Sequence, residues 1–403
     1  MDTTAPSTDF HDTVRTWLDG NFPTGLANKS YAAMVDEDPA LADDLEVWRG
    51  RLAEQGWGAP TWPKQYGGAG LTHPEAQIVQ DEMAAIGGFN PIPQMAGMGV
   101  TMVGPTLLEY GTDAQKARHL SGMASGEIKW CLGLSEPNAG SDLASLKTRA
   151  VEDGDRYVIN GQKIWTSGAH VSQWCGCLVR TDPEAGKRDG ISFVMMPMDQ
   201  PGVETRPIRL ISGVSPFCET FFTDANADKG DLLGDLNAGW TVIKRLLQHE
   251  RQSQTSAGRR NLDNAEPLES MALRYVGSDA EGKLADADLR GRLTDHLMET
   301  EAQQLTIARA AAEARGEVKV SAAASILKNA ATRVAQTKAE LSLEIMGSQG
   351  LGWDGDAFAD DEQKAVREWL WGKAASIYGG SYEVQNNIIA KNILGLPETT
   401  QKG

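Results

Sequence analysis

Leu134-Ser135-Glu136-Pro137-Asn138-Ala139-Gly140-Ser141-Asp142 stands where the hydrophobic period of the chain changes. Before it, apolar residues recur three and four apart, as on one face of a helix; from about Cys131 onward they come in short, strand-like runs. Small and hydroxyl residues flank its Pro-Asn turn, so the loop can expose backbone N–H groups and hydroxyls to a polar or anionic ligand. Most turns of this composition only turn, so the run by itself does not establish a site.

Upstream, Leu45, Trp48 and Leu52 keep helical spacing up to a stop at Gly56. Thr72 with Glu75 predicts a capping box, Pro74 sits in the first turn and Gly87-Gly88 ends the segment, so a helix is expected over 73–86. Thr112 and Gln115 repeat the signal. The stretch Trp62 to Gly70 is too rich in glycine and proline for regular structure and reads as a loop. Downstream, Thr148–Val151 and Tyr157–Ile159 flank Glu152-Asp153-Gly154-Asp155, a hairpin signal, and Cys175–Arg180, Ile191–Met196 and Thr220–Thr223 read as further strands. After Asn237 the helical period returns, from Trp240 to about Leu262, Leu289 to Arg315 and Glu317 to Met346. In the last, Ile326, Val334, Leu341 and Ile345 are expected to line one stripe. The acidic run Asp354 to Glu362 reads as a solvated loop or a helix start. The expected organisation is α+β and multidomain: a helical domain over 1–128, a β domain over 129–236 and a helical domain over 237–403.

Length and composition agree. At about 150 residues per domain, 403 residues suggest two to three domains. With 41% hydrophobic and 23% charged residues the chain can bury substantial cores. A net charge of −17 repels phosphate backbones and anionic lipid, which argues against nucleic acid as a partner. The apolar stretch at Ile191–Met198 is far shorter than the roughly 20 residues of a spanning helix. The N-terminal MDTTAPSTDF is acidic where a signal peptide would be basic, so a cytoplasmic location is expected. The cysteines Cys131, Cys175, Cys177 and Cys218 lack metal-site spacing and read as reduced core thiols, with Cys175 and Cys177 on one face of a strand. The six histidines are scattered without ligand-like neighbours, and no metal site is expected.

Two further runs follow the first in order. Asn160-Gly161-Gln162-Lys163-Ile164-Trp165-Thr166-Ser167-Gly168 sets a tryptophan among hydroxyl residues, and Ser376-Ile377-Tyr378-Gly379-Gly380-Ser381-Tyr382-Glu383 joins two helices through a glycine pair. With the Trp62-Pro63-x-x-Tyr66-Gly67-Gly68 loop and the closing Asn387 to Gly395, these runs make the chain resemble the acyl-CoA dehydrogenases over nearly its whole length. Ser135 to Asp142 matches that family's signature with Asn138 replacing a glycine. The resemblance implies an N-terminal α-helical domain, a middle β-barrel and a C-terminal four-helix bundle, in a dimer or tetramer. It also implies an FAD enzyme that converts an acyl-CoA thioester to the trans-2-enoyl-CoA and hands electrons to an electron-transfer flavoprotein.

By match to the family motifs, Leu134 and Ser135 are expected at the flavin pyrimidine, Trp165 beside the ring and Ser167 near the reactive flavin nitrogen. Ser141 is expected beside the pantetheine arm, and Ser381 and Glu383 near the adenosine end of FAD. The segment Glu344 to Gly350, with Glu344 and Gly347, is expected to touch the FAD of a neighbouring subunit. Two departures stand out. Where many members carry a catalytic glutamate after the tyrosine, this chain has Gly379, whose amide is expected to serve the thioester carbonyl. Other members place the base before an arginine on the first long C-terminal helix, and Leu246-Leu247-Gln248-His249-Glu250-Arg251 matches that pattern. Glu250 is therefore the expected base, with Arg251 at the substrate and His249 structural. The second departure is Ser278-Asp279-Ala280-Glu281-Gly282-Lys283-Leu284, which lacks the family's Arg-x-x-Phe-Gly. It keeps open an acyl-CoA-binding or partially active subunit of a heteromeric dehydrogenase. A flavin monooxygenase or oxidase is a further alternative.

Overall fold

The structure, a computed structural model, describes residues 8–29, 40–260, 266–315 and 324–397. The chain forms two compact units, Met1–Ile208 with Ser215–Ser256, and Arg209–Val214 with Ala257–Gly403.

The first unit opens with helices α1 (Thr8–Asn21), α2 (Ala40–Glu54), α3 (His73–Ala85), α4 (Ile92–Met95), α5 (Gly104–Tyr110) and α6 (Asp113–Ser125). Both expected capping boxes form, at Thr72 with Glu75 and at Thr112 with Gln115, so each helix starts where the sequence places it. Leu45, Trp48 and Leu52 of α2 are buried against Val14, Leu18, Ile78 and Met83. The 62–70 segment is a loop apart from a short 3-10 turn at Lys64–Tyr66. Gly68 is required there, since a Cβ would lie 2.2 Å from the Trp62 carbonyl oxygen.

Strands β1 (Trp130–Gly133), β2 (Arg149–Asp153), β3 (Arg156–Ser167), β4 (Trp174–Arg180), β5 (Ile191–Pro197), β6 (Val203–Ile208), β7 (Phe217–Asp228) and β8 (Leu232–Leu233) follow. They form one sheet in the order β6-β7-β3-β2-β4-β5-β8, with β1 beside β4. The expected hairpin joins β2 to β3, and Gly154 supplies its left-handed turn residue (φ 60°). Ala150, Ile159, Cys175, Val194, Cys218 and Phe222, from strands spread across the sheet, share one core, so the sheet curls around it. Cys175 and Cys177 lie on its inner face, as their spacing requires. The first unit then takes up helix α7 (Gly239–Arg260) as far as Ser256, burying Val242, Ile243 and Leu246.

The second unit holds α8 (Leu268–Tyr275), α9 (Ala287–Arg315), α10 (Ala324–Met346), α11 (Asp360–Gly372) and α12 (Tyr382–Ile388). Its core is built from Leu268, Ala272, Leu284, Leu289, Leu293, Leu341 and Ile345. The stripe expected on α10 is shorter than its periodicity suggested: Val334, Leu341 and Ile345 are buried, but Ile326 is 48% exposed. The start expected at Glu317 falls outside the described residues. The acidic run ends as a helix start, with the Glu362 carboxylate accepting the Ala359 amide at 2.8 Å. Among the described residues no helix is long and apolar enough to cross a membrane.

Candidate active site

The 134–142 loop is fastened to β3 by side chain and backbone together. Lys163 is fully buried, and its Nζ donates to the Leu134 carbonyl at 3.1 Å and to Glu136 Oε1 at 3.0 Å. Glu136 also accepts the amides of Lys147 at 2.7 Å and Thr148 at 2.8 Å. Burial pushes the Glu136 carboxyl upward, but the Lys163 ammonium and the Thr148 and Lys147 donors outweigh it and hold the group below its ordinary range. The Ile164 amide donates to the Ser135 carbonyl at 2.9 Å. Leu134 and Ser135, both half-buried, are thus brought beside the residue that precedes Trp165.

Trp165 is not a core residue. Its side chain is 53% exposed and its φ is +61°, in the left-handed region where a bulky residue is strained. The β3–β7 ladder shifts register between Lys163 and Thr166, and the indole meets Phe217 edge-on, centroids 6.1 Å apart. Half-buried Ser167 ends the strand. An exposed, strained aromatic face with serine hydroxyls near it fits a flat, polar-edged ring such as a flavin. Ser141 is exposed at the far end of the loop; Asp142 beside it accepts from Lys187 Nζ at 2.6 Å.

Glu250 lies half-buried on α7. One turn earlier Arg245 grips Glu109 of α5 through Nε and Nη2, both at 2.6 Å, and His249 Nε2 stands 3.3 Å from the same carboxylate. The Arg245 hydrogen bond holds the Glu109 carboxyl below its ordinary range despite partial burial. Nothing in the sequence around Glu109 marks it; the one signal is the four-residue spacing of Arg245 and His249, which puts both on one helix face. The Arg251 side chain falls outside the described residues.

In the second unit, Gly379 and Gly380 both take left-handed φ values, 65° and 94°, just before α12. Ser381 caps that helix, accepting the Val384 amide at 3.4 Å, and Glu383 is exposed in its first turn. Glu344 and Gly347 lie apart from these. Tyr382 and Asn386 of α12 meet α10 at Asn329, and Glu344 is about 22 Å farther along that helix at 1.5 Å per residue. Glu344 is exposed and paired with Arg292 of α9. The 278–284 segment is a self-closed turn: Asp279 accepts the amides of Glu281 at 3.1 Å and Lys283 at 2.8 Å, and Ser278 bridges Leu284. Among the described residues no group of histidine, cysteine and carboxylate side chains could hold a metal ion.

Comparison with known proteins adds to this geometry. The N-terminal, middle and C-terminal domain families of the acyl-CoA dehydrogenases match residues 7–127, 131–225 and 237–394. The acyl-CoA dehydrogenase IpdE1 of Mycobacterium tuberculosis is 35% identical over 397 residues, covering 96% of this chain and 97% of its own. Among solved structures, the Tcur3481-Tcur3483 steroid ACAD superposes with a TM-score of 0.76 at 28% identity, covering 99% of this chain and 100% of that one. The ChsE4-ChsE5 complex from Mycobacterium tuberculosis gives 0.73 at 27% identity, with the same coverage of 99% and 100%.

Proposed function

The chain belongs to the acyl-CoA dehydrogenases, FAD flavoproteins, and on that premise we propose that it oxidises a bulky acyl-CoA to its trans-2-enoyl-CoA with Glu250 as base. The observation that carries this reading is Glu250 itself, on a helix gripped at Arg245 and His249 by Glu109, in a chain with Gly379 at the other position for a base. Bound FAD supplies the acceptor for the β hydrogen, which leaves with its electron pair as the C=C bond forms. Glu250 takes the α proton onto its carboxylate. The Gly379 amide donates to the thioester carbonyl, where negative charge develops as that proton leaves. Leu134, Ser135, Trp165 and Ser167 orient the flavin ring, Ser381 and Glu383 serve its adenosine end, and Glu344 and Gly347 the cofactor of a neighbouring subunit. Ser141 and Arg251 serve the substrate, and an electron-transfer flavoprotein removes the electrons. We take the domain limits as 1–128, 129–236 and 237–403.

Gly379 has no side chain where many family members carry a glutamate, and one similar structure is titled a steroid ACAD, so the acyl group is assigned as branched or polycyclic. The deciding experiment is Glu250→Gln, which keeps size but cannot take a proton. Substrate-dependent bleaching of the flavin should fall by about 10²–10⁴-fold with FAD still bound. Near-normal bleaching would eliminate Glu250 as the base.

One observation favours a second reading, in which the chain works beside a related second chain. The 278–284 turn closes on its own Asp279 and offers neither the arginine nor the phenylalanine that the family resemblance leads one to expect there. FAD per polypeptide after gel filtration of the chain alone tests it. A full, salt-resistant complement sinks the heteromer, and a deficit restored by the second chain supports it.

A further inference from the structure

We propose that Lys163 and Glu136 are a positioning pair, which sets Ser135 and Trp165 in place before any flavin arrives. The proposal rests on the reading that this face takes the flavin.

Residues two apart on a strand face the same side, so Lys163 and Trp165 should point alike. They do not: Lys163 is 0% exposed and Trp165 53% exposed. Burial on β3 follows the two-residue alternation at Tyr157, Ile159 and Lys163, then skips to Thr166. The register break and the left-handed φ of Trp165 coincide with that skip. A conformation this unfavourable persists only where its surroundings over-determine it. The last inward anchor before the break is Lys163.

That anchor is an ammonium rather than an aliphatic side chain, and it ties together separate stretches of chain. Its Nζ holds the Leu134 carbonyl and Glu136 Oε1, while the Glu136 oxygens hold the amides of Lys147 and Thr148 at the entry to β2. The two ends cannot be exchanged. Only an acceptor at 136 can take the two amides, and only a donor at 163 can serve the Leu134 carbonyl. Stability gives little reason for such a pair, because desolvation cancels much of the attraction and well-packed apolar replacements are often neutral or better. What it fixes is the position of the loop along β3, with the Ile164 amide on the Ser135 carbonyl one residue before Trp165.

The test compares the double variant Glu136→Gln/Lys163→Met, which removes both charges together, with Trp165→Ala, in whichever assembly of the full chain holds FAD. Near-UV circular dichroism of the flavin-free protein reports folding, and titration with FAD reports affinity and the flavin absorption band. A folded double variant with FAD affinity at least about tenfold weaker and a shifted band supports the pair. A folded double variant that binds FAD within threefold of the parent with an unchanged band overturns it, provided Trp165→Ala alters both. If Trp165→Ala alters neither, the flavin reading of this face is what has failed, and the proposal falls with it. Should the double variant not fold, hydrogen exchange on the flavin-free parent decides. The amides of Lys147, Thr148 and Ile164 should exchange as slowly as the central strands, and loop-like exchange overturns the proposal.

Discussion

Arg245 and Glu109, 136 residues apart in sequence, meet as a two-bond fork, Nε to Oε2 and Nη2 to Oε1, each at 2.6 Å. Lysine keeps the charge but cannot reproduce a planar fork. Arg245→Lys should therefore lower single-turnover flavin reduction several-fold by loosening the helix that carries Glu250, with FAD affinity unchanged. Both side chains are about a third exposed, so melting should shift little. An unchanged reduction rate in stopped flow would show that the fork does not serve Glu250.

Trp165 carries strain without the compensation of burial. A left-handed residue other than glycine is held at a cost of roughly 1–2 kcal/mol. Trp165→Gly should leave the stability of the flavin-free protein within about 1 kcal/mol of the parent, since relief of strain offsets the added chain entropy of glycine. A buried tryptophan would lose about 3–5 kcal/mol on truncation. Urea unfolding separates the two.

Gly379 has a left-handed φ of 65°, which bears on any attempt to restore a base there. Gly379→Glu imposes roughly 1–2 kcal/mol of backbone strain. Added to Glu250→Gln it should recover part of the lost bleaching while lowering the melting temperature by several degrees. Full recovery with no thermal cost would show that the backbone at this position relaxes freely.

Tyr275 gives a prediction in alkali. Burial, aided by the hydrogen bond its hydroxyl donates to Glu362 at 2.6 Å, pushes its phenol up to about 12. A raised folded-state value means that the stabilisation is complete below about pH 10 and is lost as pH climbs from there through about 12. The stability gap between the parent and Tyr275→Phe should be constant at lower pH and shrink across that window. Urea midpoints at a series of alkaline pH values measure it, and a gap that widened would reverse the assignment.

What the sequence made legible is what depends on near neighbours. Thr72 with Glu75 and Thr112 with Gln115 are three residues apart, and both boxes form as read. The hairpin around Gly154 was equally local. Strand β6, Val203–Ile208, is not legible in the sequence because it alternates with charged residues and carries Pro207, as a strand at the end of a sheet can. The exposure of Trp165 breaks the very alternation that periodicity relies on. Glu109 could not be linked to Arg245, nor Glu136 to Lys163, because those pairings exist only once helix and sheet have brought distant residues together. The family motifs supplied the names of residues on the face proposed for the flavin, and the physical ties among them came from the fold.

The cysteines of the curled sheet are all buried and unpaired. Hydrogen bonding to Cys131, together with burial, drives the Cys175 thiol far above its ordinary range, and its contact with Cys175 does the same for Cys177. A thiol reacts as its thiolate, so at Cys175 and Cys177 a reagent in solution meets neither an exposed nor an ionised sulfur while the sheet is closed. Alkylation of these two sulfurs therefore times how often the sheet comes apart, a clock that needs no engineered label and runs whether or not the enzyme is turning over.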